Sequence, residues 1–282
     1  MEESYLQSVI RRFRHHKAGV VSFWIVAVII VLALLAPLLA PYGPQEITSE
    51  FSAAPSLKHL LGTDQIGRDV LSRLLYGTRV SLFVGFMATV ISTVLGVLLG
   101  LLAGYVGGAL DMLLMRFTDM VMSFPYILLI LVAGAIFEPG MWNIILILGF
   151  VDWPGVATLV PGDVLSLKKR DFVTSSRIAG MPGSYIMFSD ILPNTMGDIL
   201  VFATTVMATS ILDEAALSFL GLGVQPPTAS LGNMLNGAGS VTVLTDMPWL
   251  WLSPGIAIIL LVVCVNFVGD ALRDALDPAM VK

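Results

Sequence analysis

The chain has 282 residues, of which 56% are hydrophobic and 12% are charged, and its net charge is −5. Soluble domains carry about 25% charged residues, so this composition indicates an integral membrane protein. The negative net charge argues against a nucleic-acid partner. A single cysteine, Cys264, excludes a disulfide within the chain and argues against a thiolate metal site.

Several segments are apolar and long enough to cross a bilayer core, which takes about 20 helical residues. The alternating pattern of membrane β-strands is absent, so we predict an all-α integral membrane protein with about six transmembrane helices. The first segment exceeds the apolar core of a signal peptide, about 7–15 residues, and is predicted to be retained. The predicted spans are 19–40, 80–104, 110–135, 141–160, 195–219 and 250–270.

Lysine and arginine cluster before the first span, between the fourth and fifth spans, and after the last span. The positive-inside rule therefore predicts that the N and C termini are both cytoplasmic. These residues are Arg11, Arg12, Arg14, Lys17, Lys168, Lys169, Arg170, Arg177, Arg273 and Lys282. The predicted order is a cytoplasmic segment 1–18, a first helix 19–40, an extracytoplasmic loop 41–79, a five-helix core 80–270 and a cytoplasmic tail 271–282.

Apolar residues in the second half of the first loop, residues 57–75, recur at helical spacing. This pattern predicts a short amphipathic element at the outer surface. Asp64 and Arg68 lie four residues apart, which on a helix favours an ion pair.

Small residues and prolines mark two of the spans. Gly96, Gly100 and Gly104 lie four apart on one face of the second span, where they allow close helix packing in lipid. Pro154 and Pro161 interrupt the fourth span, and proline inside a helix costs about 3 kcal/mol or more. We therefore expect this span to be kinked or to end early.

The sequence contains no enzymatic site that its residue spacing can support. A phosphate-binding loop ends in Gly-Lys followed by Ser or Thr, and no Gly-Lys pair occurs in the chain. The histidines, His15, His16 and His59, do not have metal-ligand spacing. We predict no catalytic residue, no metal site and no cofactor, so any ATP hydrolysis must come from another chain.

Four regions in the same order resemble the permease subunits of dipeptide, oligopeptide and nickel ABC importers, specifically the second of the two permease types. These regions are residues 61–77, 164–173, 214–227 with 231–235, and 248–250 with 266–278. The resemblance implies a type I ABC-importer fold in the cell inner membrane. It also implies three kinds of partner: a second homologous permease, two ATP-binding-cassette ATPase subunits and an extracytoplasmic solute-binding protein.

The basic loop, residues 161–194, resembles the loop through which such permeases couple to their ATPases. The residues that the resemblance places at the contact are Phe172, Val173, Arg177, Ile178, Ala179, Gly180 and Met181. Thr174, Ser175 and Ser176 replace the family's usual Glu-Ala-Ala, with Thr174 expected to cap a helix start and Leu192-Pro193 to end the loop's helical part. The alternative is a solvated loop that is basic through topology alone.

Other candidate residues have a local interpretation beside the functional one. Thr205, Thr209, Ser210 and Glu214 would line a polar translocation path, although Ser and Thr also bond to their own helix carbonyls. Asp64, Arg68 and Asp69 would dock the binding protein, or would form local ion pairs. An ion-coupled carrier that uses Asp152 or Glu138 for protons is the alternative function. The transported substrate is left open among peptides, nickel chelates, glutathione and other small solutes.

Overall fold

The computed structural model describes residues 5–237 and 239–276. Parts of the predicted end segments 1–18 and 271–282 therefore lie outside the described residues. The helices are α1 (Tyr5–His15), α2 (Lys17–Leu34), α3 (Ala36–Leu39), α4 (Val70–Val106), α5 (Gly108–Met122), α6 (Tyr126–Ile136), α7 (Met141–Leu167), α8 (Asp171–Ile178), α9 (Gly183–Tyr185), a π-helical turn (Ile186–Ile191), α10 (Leu192–Phe219), α11 (Leu231–Asn236), α12 (Val241–Asp246) and α13 (Trp249–Leu276).

The predicted all-α architecture is confirmed, because the described part of the chain is helical and contains no β-strand. Five of its helices, or helix runs, are long and apolar enough to cross a membrane. A sixth span is formed if α5 and α6 are counted as one broken span, since they meet at an angle of 82°. The prediction of about six spans is thus supported, with one of them sharply bent.

The bend lies at residues 123–125, inside the segment predicted as one continuous span. Pro125 has no N–H to donate to the preceding turn, and it disfavours helical geometry at Phe124 before it. Helix α6 starts immediately after this proline. Apolar residues continue on both sides of the break, so the apolar pattern alone gave no sign of it.

Helices α4 and α7 form the most extensive contact in the described structure, through the predicted glycine stripe. Each stripe glycine lies against one valine of α7: Gly96 against Val156, Gly100 against Val160 and Gly104 against Val164. A Cβ at Gly100 would lie 2.7 Å from the Val160 Cβ, and one at Gly104 would lie 2.8 Å from the Val164 Cβ. The two helices can therefore approach this closely only because glycine has no side chain at these positions.

Helix α7 continues through both of its prolines to Leu167, so the expected early end is wrong, while the expected kink stays a prediction. Pro154 and Pro161 are both buried against neighbouring helices. Neighbouring helices allow membrane-spanning helices to retain proline despite the lost backbone hydrogen bond. The valine row of α7 also continues across both positions, so packing on α4 holds the helix together.

The first loop does not contain the predicted amphipathic helix, because residues 57–69 are irregular and α4 begins at Val70. The burial pattern is also the reverse of an apolar stripe, with Leu57 and Leu60 exposed and His59 buried. Polar contacts order this segment: the His59 Nδ1 lies 2.9 Å from Asp69 Oδ1. Asp69 Oδ2 in turn accepts the Ser72 N–H at 2.7 Å and caps α4.

The remaining spans pack in a row, α2 on α13, α13 on α10, and α10 on α4. Small residues again allow close approach, since a Cβ at Gly269 of α13 would collide with Thr204 of α10. A buried cluster that includes Leu82, Ile211 and Leu261 joins α4, α10 and α13. The bundle of long helices has two ends, here called the first-loop end (residues 41–69) and the basic-loop end (residues 168–190).

Candidate functional site

The basic-loop end carries a short helix, α8, held in place by one buried side chain. Asp171 in its first turn and Arg177 in its last turn complement the helix dipole. Val173 is fully buried and clusters with Ile186 and Ile191. Val173 was predicted to contact an ATPase, and this is corrected: it anchors α8 to the spans and offers no surface.

The other predicted contact residues of this loop are exposed. Ile178 has 83% of its surface exposed, and Phe172 and Met181 are also exposed. Arg177, Ala179 and Gly180 are exposed as well. Tyr185, in α9, and Phe188, in the π-helical turn, are further exposed aromatic residues that no sequence motif marked.

The turn after α8 requires glycine. Gly180 has φ of +75°, a conformation that side chains disfavour, and it ends α8 by directing the chain away. Thr174 does not cap the helix as predicted, because it lies inside α8 and donates to the Arg170 carbonyl at 3.2 Å. Pro193 does not stop a helix either, because the chain stays helical from Gly183 through the π-helical turn to Phe219.

Lys168 connects this loop to the end of α4. Its Nζ donates to the Tyr105 carbonyl oxygen at 2.7 Å and to the Gly104 carbonyl oxygen at 3.3 Å. The same ammonium lies 5.4 Å from the centre of the Tyr105 ring. A cation at a helix C-terminus is stabilised by the unpaired carbonyls there. Lys168 therefore holds the start of the basic loop, and with it α8, close to the end of the glycine–valine interface of α4 and α7.

A groove of about 320 Å³ runs between α6, α7 and α10. It is lined by aromatic side chains and by a few polar ones, among them Tyr126, Asp152, Thr205 and Thr209. Thr205 and Thr209 are exposed, as a translocation path requires. The Thr209 hydroxyl donates to the Val206 carbonyl oxygen at 2.9 Å, which is the local hydrogen bond that was the alternative; the place of Thr209 on a translocation path stays a prediction.

The acidic residues near the groove are held by hydrogen bonds across helices. Ser210 Oγ donates to Asp152 Oδ2 at 3.2 Å, and the Tyr126 hydroxyl donates to Asp213 Oδ2 at 2.6 Å. Asp152 lies near the middle of α7. Ser210 was predicted on the path but is buried behind the groove, where it orients Asp152.

Glu214 was also predicted on the path, and this is corrected because its side chain is completely buried. Its two carboxylate oxygens accept hydrogen bonds from Ser81 Oγ at 2.6 Å and from Ser218 Oγ at 2.7 Å. The residue therefore joins α4 to α10 inside the protein. A carboxylate in an apolar span usually faces protein or water, and here it faces protein.

The three predicted docking residues of the first loop divide into two kinds. Arg68 Nε donates to Asp64 Oδ2 at 2.7 Å, so the expected ion pair forms, but in a turn and not on a helix. Asp69 is fully buried under His59 and is corrected from a docking residue to a helix cap. Nearby, the hydrogen bond from exposed Lys58 lowers the pKa of Glu50 below its ordinary value.

The sequence matches two protein families along most of its length. Residues 96–282 match the family described as the binding-protein-dependent transport system inner membrane component. Residues 4–55 match the family described as the N-terminal TM domain of oligopeptide transport permease C.

Proteins similar to this chain are transport permeases. A peptide permease protein of Brucella suis is 40% identical over 268 residues, covering 95% of this chain and 89% of the relative. The dipeptide transport system permease protein DppC of Haemophilus influenzae is 38% identical over 275 residues, covering 95% and 92%. The oligopeptide transport system permease protein OppC of the same organism is 40% identical over 279 residues, covering 98% and 89%.

These matches favour the importer permease over the ion-coupled carrier. Members of this family are the membrane components of transporters and depend on ATPase and substrate-binding partners. The expectation that this chain is not itself the catalytic subunit agrees with that assignment. The chain belongs to the binding-protein-dependent transport system inner membrane components, and it is a multi-span permease component of an ABC importer.

Proposed function

We propose that this permease imports peptides, pairs with a second homologous permease, and receives force from two ATPases through α8 and the turn at Gly180. The observation that carries the coupling proposal is the nearly complete exposure of Ile178 in a loop that also contains Lys168, Lys169 and Arg170. Exposed apolar side chains grouped outside a membrane span mark protein contacts.

The composition of the basic loop supports an aqueous location for this apolar surface. Three consecutive cationic residues, 168–170, precede α8, and charged side chains are costly in the hydrocarbon core. The exposed faces of Phe172, Ile178 and Met181 therefore fit a groove on a partner protein better than they fit lipid. The basic loop and the termini would lie on the ATPase side, consistent with the lysine and arginine distribution.

The contacts of α8 explain how force could pass into the spans. Val173 and the Ile186–Ile191 turn fasten α8 to the bundle, while Lys168 fastens the start of the loop to α4. Because α4 and α7 interlock through glycine and valine, they would move together when α8 is displaced. A rigid connection of this kind is what an alternating-access change between two permeases requires.

The groove between α6, α7 and α10 is proposed to be this chain's half of the translocation path, and its lining supports this role. Its mixed lining offers hydroxyl and carboxylate groups without a tight site, which suits cargo delivered by a binding protein. Peptide as the cargo is supported by the names of the relatives, which describe peptide, dipeptide and oligopeptide permeases. Selection among peptides would then lie mainly with the binding protein.

Reconstitution tests this proposal directly. The chain is placed in proteoliposomes with the second permease, the ATPases and the binding protein of the same transport system, and uptake of a labelled dipeptide and a labelled pentapeptide is measured. We expect uptake that requires both ATP and the binding protein. Uptake driven by an ion gradient without ATP, or ATP-dependent uptake of other solutes only, contradicts the proposal.

A further inference from the structure

At the first-loop end, a small pocket holds an arginine that has no carboxylate of its own among the residues that the structure describes. The pocket has a volume of about 100 Å³ and lies between the first loop, α4, α11 and the start of α13. Its lining includes Gln65, Ile66, Arg68, Arg73, Asn233 and Gly237. Arg73 is 4% exposed.

The hydrogen-bonding partners of Arg73 are few and distant. Its Nη1 donates to the Pro44 carbonyl oxygen at 3.3 Å. Within the described residues, the single carboxylate near its guanidinium is Asp64, whose Oδ2 lies 3.9 Å from the Arg73 Nε. A buried guanidinium offers five N–H donors, and buried charges are normally paired and fully hydrogen-bonded.

Asp64 is already committed to other donors. Its Oδ2 accepts Arg68 Nε at 2.7 Å, and its Oδ1 accepts the backbone N–H groups of Arg68 at 2.9 Å and Ile66 at 3.1 Å. Two guanidinium groups thus share one carboxylate, which leaves one positive charge in the pocket. Asp69 does not supply the missing negative charge, because His59 and Ser72 occupy its oxygens.

We propose that this pocket receives an acidic side chain, Asp or Glu, of the extracytoplasmic solute-binding protein, and that Arg73 is the group that binds its carboxylate. The inference rests on the proposed function: if the basic-loop end lies on the ATPase side, the opposite, first-loop end faces the binding protein. A carboxylate head fits a pocket of this size, whereas a peptide does not.

The rim of the pocket favours a protein partner over a free anion. Ile66, which lines the pocket, is 47% exposed at its opening, and Leu57 and Leu60, elsewhere in the same loop, are also exposed. Exposed apolar residues around a desolvated charged group are the arrangement found at the centre of protein interfaces. Arginine also suits this role because its planar fork binds a carboxylate through two parallel hydrogen bonds.

The test measures the affinity of the solute-binding protein of the same system for the complete transporter in nanodiscs. In Arg73→Met, we expect affinity to fall by on the order of tenfold or more, because one partner of a desolvated charge pair is lost. Lys58→Met removes an exposed cation of the same loop and is expected to leave affinity unchanged.

A second pair of variants avoids altering the buried arginine. A Cβ at Gly237 would lie 3.5 Å from its nearest neighbour, and the residue's φ is −59°, so a side chain is tolerated there. Gly237→Glu supplies a carboxylate from the rim and should block docking, whereas Gly237→Gln, of the same size, should bind like the wild type. If Arg73→Met fails to assemble, this pair decides the question.

A double-mutant cycle identifies the partner residue. Each surface Asp and Glu of the binding protein is replaced by Ala, and one replacement should show a non-additive effect with Arg73→Met. Unchanged affinity in an assembled Arg73→Met transporter, or coupling to an acid of the second permease, overturns the proposal. A wild-type transporter that binds no solute-binding protein and shows no ATP-driven uptake overturns the proposed function as well.

Discussion

Ser81 of α4 donates a 2.6 Å hydrogen bond to Glu214 of α10, and both side chains are buried. The Ser81 hydroxyl also accepts the Leu231 N–H at 3.2 Å, while Ser218, the second donor to Glu214, accepts the Val224 N–H at 2.9 Å. One carboxylate therefore holds two spans and the connecting segment between α10 and α11 in a single network.

Glu214→Ala should destabilise the protein, because it leaves the two serine hydroxyls without their acceptor. Loss of a buried acceptor costs about 1–3 kcal/mol for each group left unsatisfied, and more for charged groups. We expect a lower melting temperature of the purified permease in detergent. Glu214→Gln retains one acceptor oxygen, so its melting temperature should lie between those of Glu214→Ala and the wild type.

Asp246→Ala is the control for this experiment, since Asp246 is an exposed acid near the same end of the bundle. It should melt like the wild type. A Glu214→Ala protein with an unchanged melting temperature contradicts the bracing role of the network.

Gly100→Val should separate α4 from α7, since the new Cβ would lie 2.7 Å from the Val160 Cβ. Overpacking of this kind typically costs about 1–3 kcal/mol. Val160→Ala in the same chain should restore part of the lost stability. Thermal unfolding of the single and double variants measures both effects.

A glycine of α7 provides the matched control. A Cβ at Gly162 meets no atom within 4 Å, so Gly162→Ala should be neutral or stabilising by about 0.5–1 kcal/mol. Equal destabilisation at Gly100 and Gly162 would mean that the close helix contact is not what requires glycine.

The sequence predicted those features that depend on local composition and spacing. Apolar length predicted the spans, and four-residue spacing predicted the packing role of Gly96, Gly100 and Gly104. The break at Pro125 was missed because apolar residues continue on both of its sides, although α6 is the more apolar of the two helices. The continuity of α7 through Pro154 was missed because tertiary packing on α4, not propensity, keeps that helix intact.

The site was predicted less completely, because burial depends on contacts between distant segments. Val173 and Ile178 lie in one short helix, and its sequence does not tell which of them faces the bundle. Glu214 was predicted to line the path because its partner Ser81, which buries it between α4 and α10, is distant in sequence. Nothing in the sequence marked Arg73, because its pocket is completed by residues of α11 and α13.

Lys168→Met should weaken the connection between the basic loop and α4. The change removes the hydrogen bond to the Tyr105 carbonyl and the contact with its ring. We expect peptide uptake per ATP hydrolysed to fall a few-fold, while the ATPases still co-purify. Lys169→Met, which changes the adjacent exposed lysine, should transport normally; equal losses in both variants would point to net charge alone.

Thr205→Trp should obstruct the groove between α6, α7 and α10. Thr205 is exposed in the groove, and an indole ring would fill a large share of its volume. Peptide uptake in proteoliposomes should fall strongly, with ATPase binding and basal ATP hydrolysis retained. Leu200→Trp, an exposed position on the same helix that does not line the groove, should have little effect. Normal uptake by Thr205→Trp would place the path elsewhere.

The most direct test of the coupling proposal is co-purification of the ATPases with an Ile178→Asp permease. Ile178 is 83% exposed, so the substitution should not disturb folding, and Ile47→Asp in the first loop is the matched control at the opposite end. We predict that Ile178→Asp loses the ATPases and ATP-driven uptake while Ile47→Asp retains both. An Ile178→Asp permease that binds the ATPases and transports like the wild type would contradict the proposal that α8 is the coupling element.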